Sequence, residues 1–163
     1  MVYLLDANVL ISAHDLHYPL DRIPQFWTWI LAMAATGTVK LPYEIYNEIA
    51  ISTGDLGDWI KTPDHSKKLK LSAQIDPAIL QRIINEGYAP DLNESELDQI
   101  GQDPFLVAYA LPMAPAVTIV TREVSKPRKQ RQNRKVPDVC AQFGVRCLSD
   151  FQFFRELDFK ITS

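Results

Sequence analysis

The sequence predicts an α/β fold, with a central, mostly parallel sheet flanked by helices, and three observations carry that prediction. Four short apolar or β-branched runs, at residues 2–5, 38–41, 117–121 and 145–148, have the length and composition of buried strands. Longer segments with helical spacing lie between them, several opened by proline and closed by glycine. The chain of 163 residues is long enough for one domain with a substantial core and short for two. Strands that alternate with helices build parallel sheets, because each crossover returns the chain to the same starting edge.

Taken in order, the run 2–5 ends at Asp6, and Asn8 offers a helix N-cap or a turn. Pro24 opens a helix over 25–36, closed by Gly37, whose Phe26, Trp27, Ile30, Leu31, Met33 and Ala34 form a core face. Residues 38–41 read as a second strand, and Pro42 starts a helix through about Ile51. Residues 55–61 read as a helical piece around Trp59, whereas 65–71 is polar, lysine-rich and without a clear period. Asp76-Pro77 caps and opens a helix with Ile79, Leu80, Ile83 and Ile84 inward, ended by Gly87. Residues 94–100 suit a short acidic helix. Asp103-Pro104 repeats the cap-plus-proline start for a helix over 105–111, which stops before Pro112. The β-branched run 117–121 is the clearest strand. A helix near 138–143, Gly144, a strand over 145–148 and a last helix capped by Ser149 complete the chain.

Hydrophobic residues make up 47% and charged residues 23%, a globular balance that excludes a disordered or fibrous chain. No apolar run reaches the roughly 18 residues of a membrane span. A strand pattern beginning at Val2 leaves no room for a signal peptide, and Cys140 and Cys147 are too few for a disulfide framework. The expectation is a cytoplasmic protein with two buried thiols. Net charge is -3, yet seven of the 17 Lys and Arg residues lie between Arg122 and Lys135. One face would therefore attract a polyanion.

Four acidic residues sit beside element boundaries: Asp6 after the first strand, Glu48 in the helix after Pro42, Asp103 before Pro104, and Glu123 after the run 117–121. In open α/β sheets, sites lie beyond the carboxyl ends of the strands, where the N-termini of the returning helices also point. Asp6 and Glu123 belong at that edge, as does Asp103 at the start of the helix leading into 117–121. Glu48 lies about 9 Å down its helix at 1.5 Å per residue, part of which its side chain recovers. Topology thus brings all four within reach of one ion. Each also has a plainer role. Asp103 suits an N-cap, which would compete with a metal for its carboxylate. Glu48 shares a face with Glu44, a repulsive pair unless one meets a cation. Glu123 suits a turn, and Asp6 at the end of an apolar strand needs a partner.

The segment Leu4-Leu5-Asp6-Ala7-Asn8-Val9-Leu10-Ile11 resembles the opening motif of the PIN-domain family, whose members are mostly metal-dependent ribonucleases. Leu41-Pro42 with Glu48, then Asp103-Pro104-Phe105-Leu106-Val107-Ala108-Tyr109-Ala110, then Ile119-Val120-Thr121-Arg122-Glu123, resemble its later acidic motifs in order. The fourth more often ends in aspartate, and the loop after it is longer and more basic here. Asp138 stands by as a rival or additional acidic residue. The resemblance implies a single PIN-like nuclease domain over 1–163 that hydrolyses RNA phosphodiester bonds with Mg²⁺ or Mn²⁺. A small single-domain member of this kind is similar to a VapC-type toxin. That similarity implies a cognate antitoxin protein as partner and leaves a homodimer open.

Asp6 and Asp103, short and at element ends, are the expected direct ligands, with Glu48 and Glu123 holding waters or a second ion. Mg²⁺ and Mn²⁺ prefer oxygen ligands, and such an ion would neutralise a phosphate oxygen and acidify a water. Asn8 and Thr121 would orient waters or the phosphate. Clustered carboxylates repel, so at least one should have a raised pKa without metal. In the stretch 126–135, Lys126, Arg128, Lys129, Arg131, Arg134 and Lys135 would contact RNA phosphates without base specificity. The plainer expectation for that stretch is a solvated loop.

Two other classes are weaker. A catalytically silent PIN-like RNA- or protein-binding module would not need the complete acidic set. A haloacid-dehalogenase-like phosphatase would need an aspartate where this chain has Asn8. His14 and His17 lack the further ligands of a structural zinc site. The motifs of Ser-His-Asp hydrolases and of nucleotide-phosphate loops are absent.

Overall fold

Leu4 and Leu5 are fully buried because their strand lies inside the sheet. The computed structural model describes residues 1–162. Strands β1 (Val2–Leu5), β2 (Val39–Lys40), β3 (Val117–Val120) and β4 (Arg146–Leu148) form one sheet in the order β2-β1-β3-β4. Every pairing is parallel, with Leu5 opposite Val120 and Ile119 opposite Cys147. All four residues of β3 are buried, which explains why an unbroken β-branched run, not an alternating one, encodes it.

Among the described residues, ten α-helices flank the sheet, and the buried apolar residues form one continuous core. Helix α1 (Ala7–Ser12) follows β1 directly and runs into a π-helical turn, Ala13–His17. Helix α2 (Pro24–Ala35) packs on β2, and α3 (Tyr43–Ala50) packs on α1 and on α4 (Asp55–Lys61). Next come α5 (Pro63–Leu69), α6 (Pro77–Gly87), α7 (Glu94–Ile100) and α8 (Asp103–Ala110). Helix α8 packs against α6, β3 and α9 (Val136–Phe143), and α10 (Asp150–Glu156) ends the fold.

Several local expectations hold for the reasons given. Asp76 accepts from Ala78 N at 2.9 Å, Ser149 caps α10 through a capping box with Gln152, and Gly144 ends α9 in the left-handed region at φ 71°. Three differ. Asn8 lies inside α1, and Asp6 is the residue that caps it. Asp103 is the first residue of α8 and makes no cap hydrogen bond, the N-cap position being Gln102. The aperiodic lysine-rich stretch is largely helical, as α5. Only Ser66 and Leu69 of that helix are buried, too few to leave a period, and the pair Lys68–Asp64 at 2.8 Å stabilises its outer face. The chain then leaves Leu69 alongside Leu41, with Leu41 N donating to Leu69 O at 2.7 Å, which prolongs the sheet edge beyond β2.

Candidate functional site

The strand order reverses at β1: the chain moves to β2 on one side, then crosses to β3 on the other. A crevice opens at such a switch point beyond the carboxyl ends of the two central strands. Asp6 and Thr121 follow those ends directly, and both are buried, at 5% and 1% exposure. The Thr121 hydroxyl donates to Asp6 Oδ2 at 2.8 Å and accepts from Glu123 N at 3.2 Å and Asn8 Nδ2 at 3.5 Å. Asn8 Oδ1 in turn accepts from Arg122 N at 3.2 Å, and Asp6 Oδ1 accepts from Ala7 N at 2.8 Å. Thr121 is therefore a hub joining the first acidic motif to the last.

Asp103, the first residue of α8, is near enough to Asp6 for their charges to interact. Six of that helix's eight residues are buried, so its first turn is carried into a desolvated place. Burial, then the charges of Asp6, Glu123 and Glu48, push the Asp103 carboxyl up to about 8, against a lowering by Lys135. Burial, then Glu123 and Glu48, push Asp6 up to about 6, partly offset by the bonds from Thr121 and Ala7. Glu48 lies on the exposed side of α3, yet its carboxyl is desolvated enough to be raised. The four sequence-predicted carboxylates thus share one electrostatic neighbourhood. They do not form a finished cage: among the described residues, no three His, Cys, Asp or Glu side chains stand in metal-holding geometry.

Glu123 has a second task. Its Oε2 accepts from Val136 N at 2.7 Å, so it closes the basic loop onto the start of α9. Asp138, in the first turn of α9, holds that loop. Its two oxygens accept from Ser125 Oγ at 2.5 Å and Lys126 N at 2.8 Å.

The basic stretch is only partly available to a ligand. Arg131 is held by Asp91 at 2.7 Å and Glu96 at 3.2 Å, and Arg134 donates to Gly87 O at 2.5 Å and to Gln142. These two guanidiniums fasten the loop to the end of α6, to Asp91, to α7 and to α9. Lys126, Arg128 and Lys129 are exposed and form no ion pair among the described residues. Lys135 faces the crevice electrostatically, as the cation that lowers Asp103.

Sequence reasoning missed two tyrosines. Tyr109 donates to Glu44 Oε1 at 3.2 Å, and burial and then Glu44 push its phenol up to about 12, while Glu44 Oε2 is buried without a partner among the described residues. Tyr88 is 6% exposed, its hydroxyl has no hydrogen-bond partner among the described residues, and its proton affinity is raised by burial and then by Asp103 and Glu123. No local pattern marks Tyr88, since it stands just after the Gly87 that ends α6. As for the histidines, His14 Nδ1 accepts from Leu20 N at 3.3 Å.

No curated protein matches the chain. A family model matches residues 3–161, nearly the whole chain, crevice and basic loop included, and the chain belongs to that family, the domain of unknown function DUF4411.

Proposed function

We propose that this chain is a metal-dependent endoribonuclease that hydrolyses RNA phosphodiester bonds, using Mg²⁺ or Mn²⁺. The observation that carries the reading is the convergence of Asp6, Glu48, Asp103 and Glu123, from four separate elements, on the switch point, where burial and then the neighbouring carboxylates raise the proton affinity of Asp6 and Asp103. Repulsion of that kind is costly in a metal-free protein and is relieved by a cation. The donor set fits: it is all oxygen and anionic, the preference of a hard divalent ion. Asp6 and Asp103 would hold the ion, with Glu48 and Glu123 completing the set through small rotations or water. When bound, the ion would supply charge neutralisation at a phosphate oxygen and a more acidic water.

The chain's own groups do the rest. Thr121 and Ala7 fix the Asp6 carboxylate, so its orientation costs nothing at the moment of reaction. Asn8 ties the Arg122 backbone to the same hub and presents a neutral amide. Lys126, Arg128 and Lys129 would hold RNA phosphates beside Glu123, adding affinity common to ground and transition states. The resemblance to single-domain PIN toxins extends the proposal to a toxin with a cognate antitoxin, acting in the cytoplasm, and a homodimer fits the same class. No helix among the described residues is long and apolar enough to cross a membrane.

The test is incubation of the purified chain with single-stranded RNA in Mg²⁺ or Mn²⁺. Hydrolysis by water should give 5′-phosphate and 3′-hydroxyl ends, and EDTA should stop it. Cyclic 2′,3′-phosphates formed in EDTA would overturn the reading. The silent-module alternative draws on the absence of three groups in metal-holding geometry among the described residues, and RNA binding without cleavage in either metal would favour it.

A further inference from the structure

Asp150 is a buried acid, 4% exposed, at the first position of α10. Its Oδ2 lies 3.1 Å from Arg122 Nε, and its Oδ1 accepts from Phe151 N at 2.8 Å. The helix is already capped by Ser149 with Gln152, so Asp150 is not needed for that task. Among the described residues, Arg122 is the one cation in an ion pair with it.

Arg122 stands between Thr121, whose hydroxyl bonds Asp6, and Glu123. The sheet releases the chain at this point: β3 ends at Val120, and Thr121 N still donates to Leu148 O at 3.0 Å. Beyond it, Arg122 N is bound to Asn8 Oδ1 and Glu123 N to the Thr121 hydroxyl, both at 3.2 Å. The pair with Asp150 ties the same segment to α10, an element that brings none of the four carboxylates. A buried ion pair is a poor device for stability, because desolvation offsets most of the attraction; its use is to specify geometry. Asp150 also neutralises the guanidinium where it lies, so the anchor adds no net positive charge beside carboxylates that are to receive a cation. We infer that Asp150 is a positioning residue of the carboxylate site: through Arg122 it fixes the segment from Thr121 to Glu123, and so the direction in which Glu123 and the Thr121-bound Asp6 face a divalent cation. The inference rests on the metal-site reading above, and one of its two readouts needs no metal.

The experiment compares the full chain with its Asp150→Asn variant, which keeps the size of the side chain and an oxygen for Phe151 N but removes the charge. In the metal-free protein, hydrogen exchange followed by NMR should be faster at the Arg122 and Glu123 amides, with the amides of β1 and β3 unchanged. Calorimetric titration with Mn²⁺ should show about tenfold weaker binding, the loss expected when a group that orients a metal ligand is removed. A double variant, Arg122→Met with Asp150→Leu, separates positioning from stability. It replaces the pair by apolar contact and should melt at the wild-type temperature or higher. It should still bind Mn²⁺ about tenfold more weakly. Wild-type Mn²⁺ affinity in the double variant overturns the inference, because the pair would then serve the fold alone. Unchanged Mn²⁺ affinity in Asp150→Asn overturns it whatever the exchange shows, and so does unchanged exchange. A wild type that binds no Mn²⁺ removes the metal-site reading, and the exchange comparison then decides by itself whether Asp150 places the segment. If Asp150→Asn fails to fold, the double variant carries both measurements.

Discussion

At the β4 edge, Glu156 receives Arg146 Nη1 at 2.8 Å and Nη2 at 2.5 Å, together with the Tyr3 hydroxyl, and its carboxyl is held down at about 2. At the carboxyl ends of β1 and β3, Asp6 and Asp103 are pushed up to about 6 and about 8, with no guanidinium against either. The two regions use the same functional group on the same sheet. One neutralises it with a bidentate cation of its own, whereas the other gathers four and leaves their charge largely unmet. A carboxylate that serves only the fold is given its partner within the chain. A group of carboxylates that repel one another in a crevice is maintained against stability, and such sites are where ligands act.

Substitution should separate the two regions most sharply. Asp6→Asn and Asp103→Asn should reduce Mn²⁺-dependent RNA cleavage by about 10³-fold or more, as expected when several kcal/mol of metal-assisted stabilisation is removed. The same changes should raise the melting temperature of the metal-free protein, because each removes a repelling charge. Glu156→Gln should do the reverse, leaving cleavage unchanged and lowering the melting temperature. Wild-type cleavage by a folded Asp103→Asn protein would erase the distinction.

Metal should sharpen the contrast next. Mn²⁺ at about 100 times its Kd adds about 2.7 kcal/mol of stability, which is roughly 5–10 °C in melting temperature for a chain of this size. Differential scanning calorimetry should record that gain in the wild type and in Glu156→Gln. It should be absent from Asp6→Asn and Asp103→Asn.

The pH dependence follows from the directions of the shifts. Asp103 and Asp6 have folded values above the ordinary carboxylate value of about 3.9, so the folded state binds more protons than the unfolded one. Stability of the metal-free protein should therefore rise as pH falls through about 8 and then about 6, and level off near the unfolded value. Glu156 has the opposite sign: its contribution is present at neutral pH and is lost as pH falls through about 2. Melting curves in EDTA between about pH 8.5 and 5.5 test this, and Asp103→Asn should remove the upper part of the slope. Mn²⁺ affinity should run the other way and increase with pH across the same range, because the cation competes with protons.

The smallest effect concerns the basic loop. Neutralising Lys126, Arg128 and Lys129 should flatten the log–log salt dependence of RNA binding by about 0.7 for each phosphate no longer held, with the rate at saturating RNA nearly unchanged. Arg131→Ala should act differently, since it releases the loop from Asp91 and Glu96. Limited proteolysis should then cut the loop faster. An equal salt slope in the triple variant would make the three exposed cations a solvated surface.

Most of the element pattern was legible because it follows from local chemistry. The Asp76-Pro77 start, the Ser149 cap and the β-branched run of β3 each act through their own backbone, within a few residues. Helix α5 was not legible, because two buried residues in one short helix leave no period to read. At the site, Asp6, Glu48, Asp103 and Glu123 stood out because an acidic residue beside an apolar run is unusual enough to notice. Tyr88 did not, since a buried tyrosine looks like any other core residue until its hydroxyl is found without a partner.

The sequence by itself determined the alternation of strands and helices, the parallel sheet and the edge at which the acidic residues would lie, because strand order and helix direction constrain which ends meet. Only the tertiary structure decided what each charged group does there. It set Asp103 free of its capping role, gave Asp138 to the loop, turned Arg131 and Arg134 into fasteners and left Lys135 as the cation that tempers Asp103. The physical reason is that a charge is governed by burial and by neighbours within a few ångströms. Those neighbours come from elements 35 residues away for Arg131 and Glu96, and 115 for Asp6 and Thr121.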